Sequence, residues 1–162
     1  MMILMCGGII IRWQTVPDPD HLGRTMRIGT EERVLGFSYS KNPVLPAEKD
    51  GAVALYPWGN RDKKSKKLLE TGWCRVESLE QGKWDRLKPV PMQIPAIGGV
   101  EKGKWMAFSG PLKGVLVEDE EKVAHAYMLT QAASPEHATY TNHERMPVLA
   151  GDWQPMEAPA SD

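Results

Sequence analysis

Short β-branched and apolar runs, each cut off by Gly, Pro or charged residues, follow one another along this chain. That pattern predicts strands. Residues 8–13 (GIIIRW) form the clearest buried strand. Further strands are predicted at 33–40, 51–56, 90–96, 105–109, 114–117, 124–131 and 146–149. The 90–96 segment alternates at period two, and Pro91 and Pro95 put it at an edge or a bulge. Residues 16–29 carry Pro17, Pro19 and Gly23 and read as loop; 41–50 reads as a proline-containing connection. Residues 77–84 are the helix candidate, with Ser78 as a weak N-cap. Residues 117–122 (VEDEEK) make an acidic turn. Residues 154–162 are small, polar and proline-containing, and a disordered tail is expected there. The sum is one compact α+β domain, dominated by strands, with one or two short helices.

Composition narrows the picture modestly. A length of 162 residues fits one domain with a core that needs no staples. A net charge of −1 points to no class of partner, so any nucleic-acid surface must come from local clustering. The densest cluster is 61–67 (RDKKSKK). Two cysteines, Cys6 and Cys74, exclude a disulfide framework and a four-ligand zinc site, and they fit a reducing cytoplasm. No apolar run reaches the ~18 residues of a membrane span. The apolar start lacks a basic n-region and is interrupted by Gly7 and Gly8, which argues against a signal peptide. The expectation is a soluble, cytoplasmic protein, a monomer with no membrane partner.

Motif order carries more. Met5-Cys6-Gly7-Gly8 resembles a Met-Cys-Gly-Arg opening. Residues 94–101 (IPAIGGVE) resemble Ile-Pro-Ala-Asp-Gly-Phe-Tyr-Glu. Residues 127–133 (YMLTQAA), followed by 143–149 (HERMPVL), resemble a strand ending in Thr-x-Ala and then His-Asp-Arg-Met-Pro-Val. Two weaker echoes lie between: 57–59 (PWG) for a Trp-Gly pair, and 73–78 (WCRVES) for Asn-Ala-Arg-x-Glu-Thr. Taken in order, these resemble the SOS-response-associated, abasic-site-processing (SRAP) family over roughly residues 6–149. The chain departs from the pattern at Gly8, where the family has an arginine, at Trp73, where it has an asparagine, and in a short spacing from Glu101 to His143. The resemblance implies a curved, partly barrel-like antiparallel sheet with short helices. It implies an SRAP-like domain over 6–153 and a partner in single-stranded DNA containing abasic sites, within the DNA-damage (SOS) response. No cofactor is implied.

The implied chemistry suits an N-terminal cysteine. An abasic sugar opens to an aldehyde, an unprotonated amine adds to give an imine, and a thiol two carbons from that amine closes a thiazolidine ring. Closure within one residue gains a high effective molarity. An α-amino group titrates near ~7.7–8.0, so part of it is already neutral at pH 7. Cys6 must then be the first residue of the working protein, so Met5 is the expected initiator and residues 1–5 a mis-called start or removed leader. By resemblance, Glu101 and His143 join Cys6 as catalytic residues, exchanging protons with the sugar. Arg75 and Arg145 are the candidate phosphate ligands. Arg61, Lys63 and Lys64 supply further cations, and Trp58 and Trp73 are candidate stacking faces.

Plainer readings stand beside these. Cys74, His21, His125 and His137 read as structural or bland, and no histidines are spaced as a metal set. Trp58, Trp84, Trp105 and Trp153 also fit core aromatics. Two functional alternatives remain open: a self-processing cysteine peptidase using Cys6 and His143, and a degenerate, non-covalent binder of single-stranded DNA.

Overall fold

The computed structural model describes residues 7–15, 24–28, 32–41 and 43–161. Among them, two seven-stranded sheets pack face to face. Sheet A runs β13 (Trp153–Pro155), β9 (Lys104–Phe108), β8 (Gly98–Glu101), β1 (Gly8–Arg12), β3 (Glu32–Ser38), β2 (Arg24–Ile28), β14 (Ala160–Ser161). Sheet B runs β12 (Arg145–Pro147), β11 (Ala124–Ala132), β10 (Leu112–Glu118), β7 (Val90–Ile94), β4 (Val44–Lys49), β5 (Ala52–Pro57). A seventh strand, β6 (Trp73–Arg75), joins β11 in parallel; the other pairings are antiparallel. Sheet B curls until Trp58, just past β5, bridges Ala126 of β11, but neither sheet closes into a barrel. Two short helices complete the fold, α1 (Val76–Glu80) and α2 (Pro135–Thr141).

Period-two alternation sorts the side chains of β1 and β3. Ile9, Ile11, Leu35, Phe37 and Tyr39 enter the main core, where they meet Leu45, Trp58, Trp73, Met92, Ile94, Leu112 and Met128 of the other sheet. Ile10 and Val34 point the opposite way, into a small cluster that includes Trp105 and Met156. On the outer face of sheet B, Cys74, Val115, Val117, Tyr127 and Leu129 pack with Trp84, Leu87 and Leu79. Each buried side chain of this size contributes about 1.5–3 kcal/mol. Burial alone pushes the Cys74 thiol up to about 12, which fits its structural role.

The strand-dominated α+β expectation stands, with several local corrections. Within the expected 16–29 loop, Arg24–Ile28 pairs with β3 along five positions. Within the expected 41–50 connection, β4 pairs with β5 along its length. Its ladder to β7 is limited to Glu48 opposite Gln93, which is how a strand containing Pro46 is accommodated. The 154–162 segment is paired at both ends instead of hanging free: Gln154 and Pro155 oppose Ala107 and Met106, and Ala160 opposes Arg27. Helix α2 was not signalled by apolar periodicity. Its start is nonetheless written in the chain, because Ser134 caps it, accepting from the His137 N–H at 3.3 Å, and Pro135 opens the first turn.

Candidate functional site

Strand register brings the predicted catalytic segments to one end of the sandwich. Ile9 pairs with both Phe37 and Gly99, and its side chain enters the main core. Paired residues share a face, so Tyr39 and Glu101, two residues beyond those partners, also point inward. Gly7 lies on the strand between them, its carbonyl accepting from the Tyr39 N–H at 3.1 Å. Neighbouring strands are about 4.8 Å apart, so one narrow end of sheet A carries Tyr39, Gly7 and Glu101 side by side. Glu101 is 2% exposed. Cys6, one peptide unit before Gly7, lies outside the described residues, as does the expected leader.

His143 is tied to the same corner. The turn after Glu101 places Lys102 so that its Nζ donates to the carbonyl of Asn142, at 3.0 Å. Asn142 ends α2 in the left-handed conformation and redirects the chain toward β12. The Arg145 backbone N–H donates to His143 Nδ1 at 3.0 Å, so the neutral ring keeps its proton on Nε2. Burial, with the nearby Lys102 and Arg145 cations, holds the His143 pKa below the usual imidazole value, although the Arg145 N–H and Glu144 oppose this. At neutral pH His143 is therefore an uncharged donor through Nε2. The neighbouring His137 is buried at 1% exposure, and burial and the field of His143 lower its pKa as well.

Arg145 is not a free phosphate ligand. Its guanidinium donates to both carboxylate oxygens of Glu77, at 2.6 and 2.8 Å, and to the Thr130 carbonyl at 2.9 Å. The Arg145 hydrogen bond is the main reason the Glu77 carboxyl falls to about 2. The planar fork and buried position explain the choice of arginine: it clamps β12 and β11 to the start of α1. Arg75 differs. It sits opposite Thr130 in the β6–β11 register with an exposed side chain, and it remains a candidate anion ligand.

Trp58 and Trp73 are core residues, at 1% and 7% exposure. They pack with Tyr39 in a three-ring cluster, with centroids 4.7–6.0 Å apart, and present no face to a base. Trp58 Nε1 donates to the Gly72 carbonyl at 3.0 Å. The Tyr39 hydroxyl and Trp73 Nε1 are both buried without a hydrogen-bond partner among the described residues. The Trp-Gly pair has a physical cause: Gly59 adopts φ +66°, and a Cβ there would lie 2.0 Å from the Thr71 carbonyl oxygen. Gly8 is packed too, on the face away from Glu101. A Cβ there would meet Phe37 O and Val100 Cγ1, each at 3.1 Å.

The basic run is an ordered loop. Asn60 is its hub: Nδ2 donates to the carbonyls of Ser65 and Leu68, at 2.9 and 3.1 Å, and Oδ1 accepts from the Ser65 N–H at 3.2 Å. Glu120 accepts from the Ser65 hydroxyl and, at 2.9 Å, from the Lys66 N–H. Beneath it, His125 bridges Gly59 O at 2.7 Å and Asp119 Oδ2 at 2.9 Å. Arg61, Lys63 and Lys64 are all exposed. Lys63 and Lys64 make only long pairs, to Glu70 at 3.7 Å and Asp62 at 3.6 Å, which are worth little in solvent. Arg61 lies close enough to the buried Tyr39 for its charge to act on that hydroxyl. Sequence reading missed the Asn60–Ser65–Glu120 latch, because Glu120 lies more than fifty residues from the loop it holds and carries no local signal.

Among the described residues no cluster of three or more His, Cys, Asp or Glu side chains is arranged to hold a metal. No described helix is long and apolar enough to cross a membrane. Comparison with known proteins returns no match, whether to a family model, a curated protein or a solved structure.

Proposed function

We propose that this chain captures abasic sites in single-stranded DNA as a covalent adduct on Cys6, once Cys6 is the N-terminal residue. The observation that carries the reading is the shared corner. Gly7, the residue after Cys6, lies beside Glu101 on the inward face, and Lys102 ties that hairpin to the turn holding His143. Three segments more than forty residues apart in sequence meet there, in the SRAP-like order.

The chemistry assigns a direction to each group. The neutral His143, with its proton on Nε2, hydrogen-bonds to the sugar ring oxygen as the ring opens. Glu101, as a carboxylate, takes the proton from the anomeric hydroxyl and returns it to the ring oxygen, so both groups end as they began. The Cys6 amine then attacks the aldehyde carbon; a C–N bond forms and water leaves. The Cys6 sulfur adds to the imine carbon, a C–S bond forms, and the nitrogen takes up the thiol proton. The balance is aldehyde plus cysteine giving thiazolidine plus water. Arg75 and Arg61 supply cations for the phosphates on either side.

Protein expressed from Met5, with Cys6 verified as the first residue by mass, is incubated with single-stranded DNA carrying one abasic site and run on a denaturing gel. A shifted band is expected that disappears in Cys6→Ala. Absence of that band, or its persistence in Cys6→Ala, rules the reading out.

A further inference from the structure

Four of the six non-glycine residues with positive φ among those described are lysines: Lys63, Lys88, Lys102 and Lys122. The left-handed region is sterically costly for any side chain and is normally taken by Gly or Asn. Lys102 has a visible reason to be lysine, because its ammonium donates to the Asn142 carbonyl. Lys63 has a loose pair in Glu70. Lys88 (φ 52°) and Lys122 (φ 63°) have no ion pair among the described residues, yet both line one groove of about 640 Å³. That groove lies between the ends of β4 and β5, the 85–90 connection and the β10–β11 turn, and it also exposes Lys49, Lys67 and Arg86.

Three carboxylates line it as well: Glu118, Asp119 and Glu120. Asp119 accepts from His125 and from the Glu121 and Val123 N–H groups. Glu120 accepts from Ser65 and Lys66. Both keep their charge, so five cations face three carboxylates and remain in excess. Half-buried Tyr56 adds a ring to the wall, and Lys67 continues the groove into the 61–67 loop.

We infer that this groove binds the phosphodiester backbone of single-stranded nucleic acid, holding the strand at the rim of sheet B beside the β10–β11 turn. The identity of the strand rests on the proposed function; the groove's preference for a polyanion rests on its own cations. Lysines at two turn tips carry point charges on flexible stems, which suits a backbone that must be tracked without reading its bases.

The test uses Lys88→Gly/Lys122→Gly in the full chain, with undamaged single-stranded oligothymidylate as probe. Glycine takes the same backbone conformation without strain, so thermal stability is expected to hold or rise. Affinity at low salt is expected to fall several-fold, and the slope of log Kobs against log salt to fall by roughly 0.7 per lysine removed. Lys113→Ala, outside the groove, is expected to leave the slope unchanged. An unchanged slope in the folded double variant overturns the inference, as does an equal per-charge loss in Lys113→Ala. Adduct formation on a short abasic strand is scored separately. An intact adduct with an unchanged slope removes the groove alone; no adduct in the parent protein, with a slope that falls in the variant, removes the capture reading alone.

Discussion

In the 60–71 loop neutral side chains and one carboxylate, Glu120, hold the structure and the cations stay in solvent; around Arg145 an ion pair holds the structure. Asn60 and Ser65 organise the loop backbone through buried hydrogen bonds, while the side chains of Arg61, Lys63 and Lys64 are exposed. At the other region, Arg145 is spent on Glu77 and Thr130, and Glu101 is buried. The contrast shows why residue type is a poor guide to role. Arginine at 145 is a clamp, whereas at 61 and 75 it is available to a ligand.

Four measurements break or sharpen this contrast. The largest effect is expected from Trp73→Ala. The residue is a core member packed against Tyr39 and Trp58, and its loss is expected to cost about 3–5 kcal/mol, read as a lower urea midpoint. A near-neutral result would return Trp73 to the surface role first expected of it. Asn60→Ala is expected to cost about 1–3 kcal/mol, because it strips partners from buried groups of the loop. Amide exchange at Ser65 should accelerate; if the loop amides stay protected, Asn60 is not the hub.

The third measurement is pH dependence. The folded-state pKa of Glu77 is depressed to about 2 by Arg145. Its contribution is therefore complete above the unfolded carboxyl value, near ~4.3, and is lost as pH falls from there toward about 2. Glu77→Gln is expected to flatten that part of the acid-unfolding curve. An unchanged curve would mean that the pair does not couple to folding. The smallest effect is expected from Lys63→Ala and Lys64→Ala, each within about 0.5 kcal/mol in denaturant unfolding. A larger loss would show that the exposed cations do support the loop.

Much of the sheet was legible because it is written locally. The β-branched β1 run Gly8–Arg12 and the largely apolar β11 run Ala124–Ala132 announce strands by themselves. Strands β2, β4 and β8 were not, since proline, charge or paired glycine masks them until a partner strand supplies the hydrogen bonds. The short β6 exists only because β11 lies beside it. Its Trp73, an exposed stacking face by motif position, is drawn inward because burying an indole against Tyr39 and Trp58 outweighs leaving it in water.

By itself the sequence determined the strand-dominated class, the basic loop and the order of the Cys6, Glu101 and His143 segments, because each depends on neighbours in the chain. Only the tertiary structure decided which cations are free and which carboxylates are spent. It also set the tautomer His143 holds and the corner Glu101 shares with Gly7. Those properties depend on pairings across tens of residues, which burial and strand register create and which no local pattern encodes.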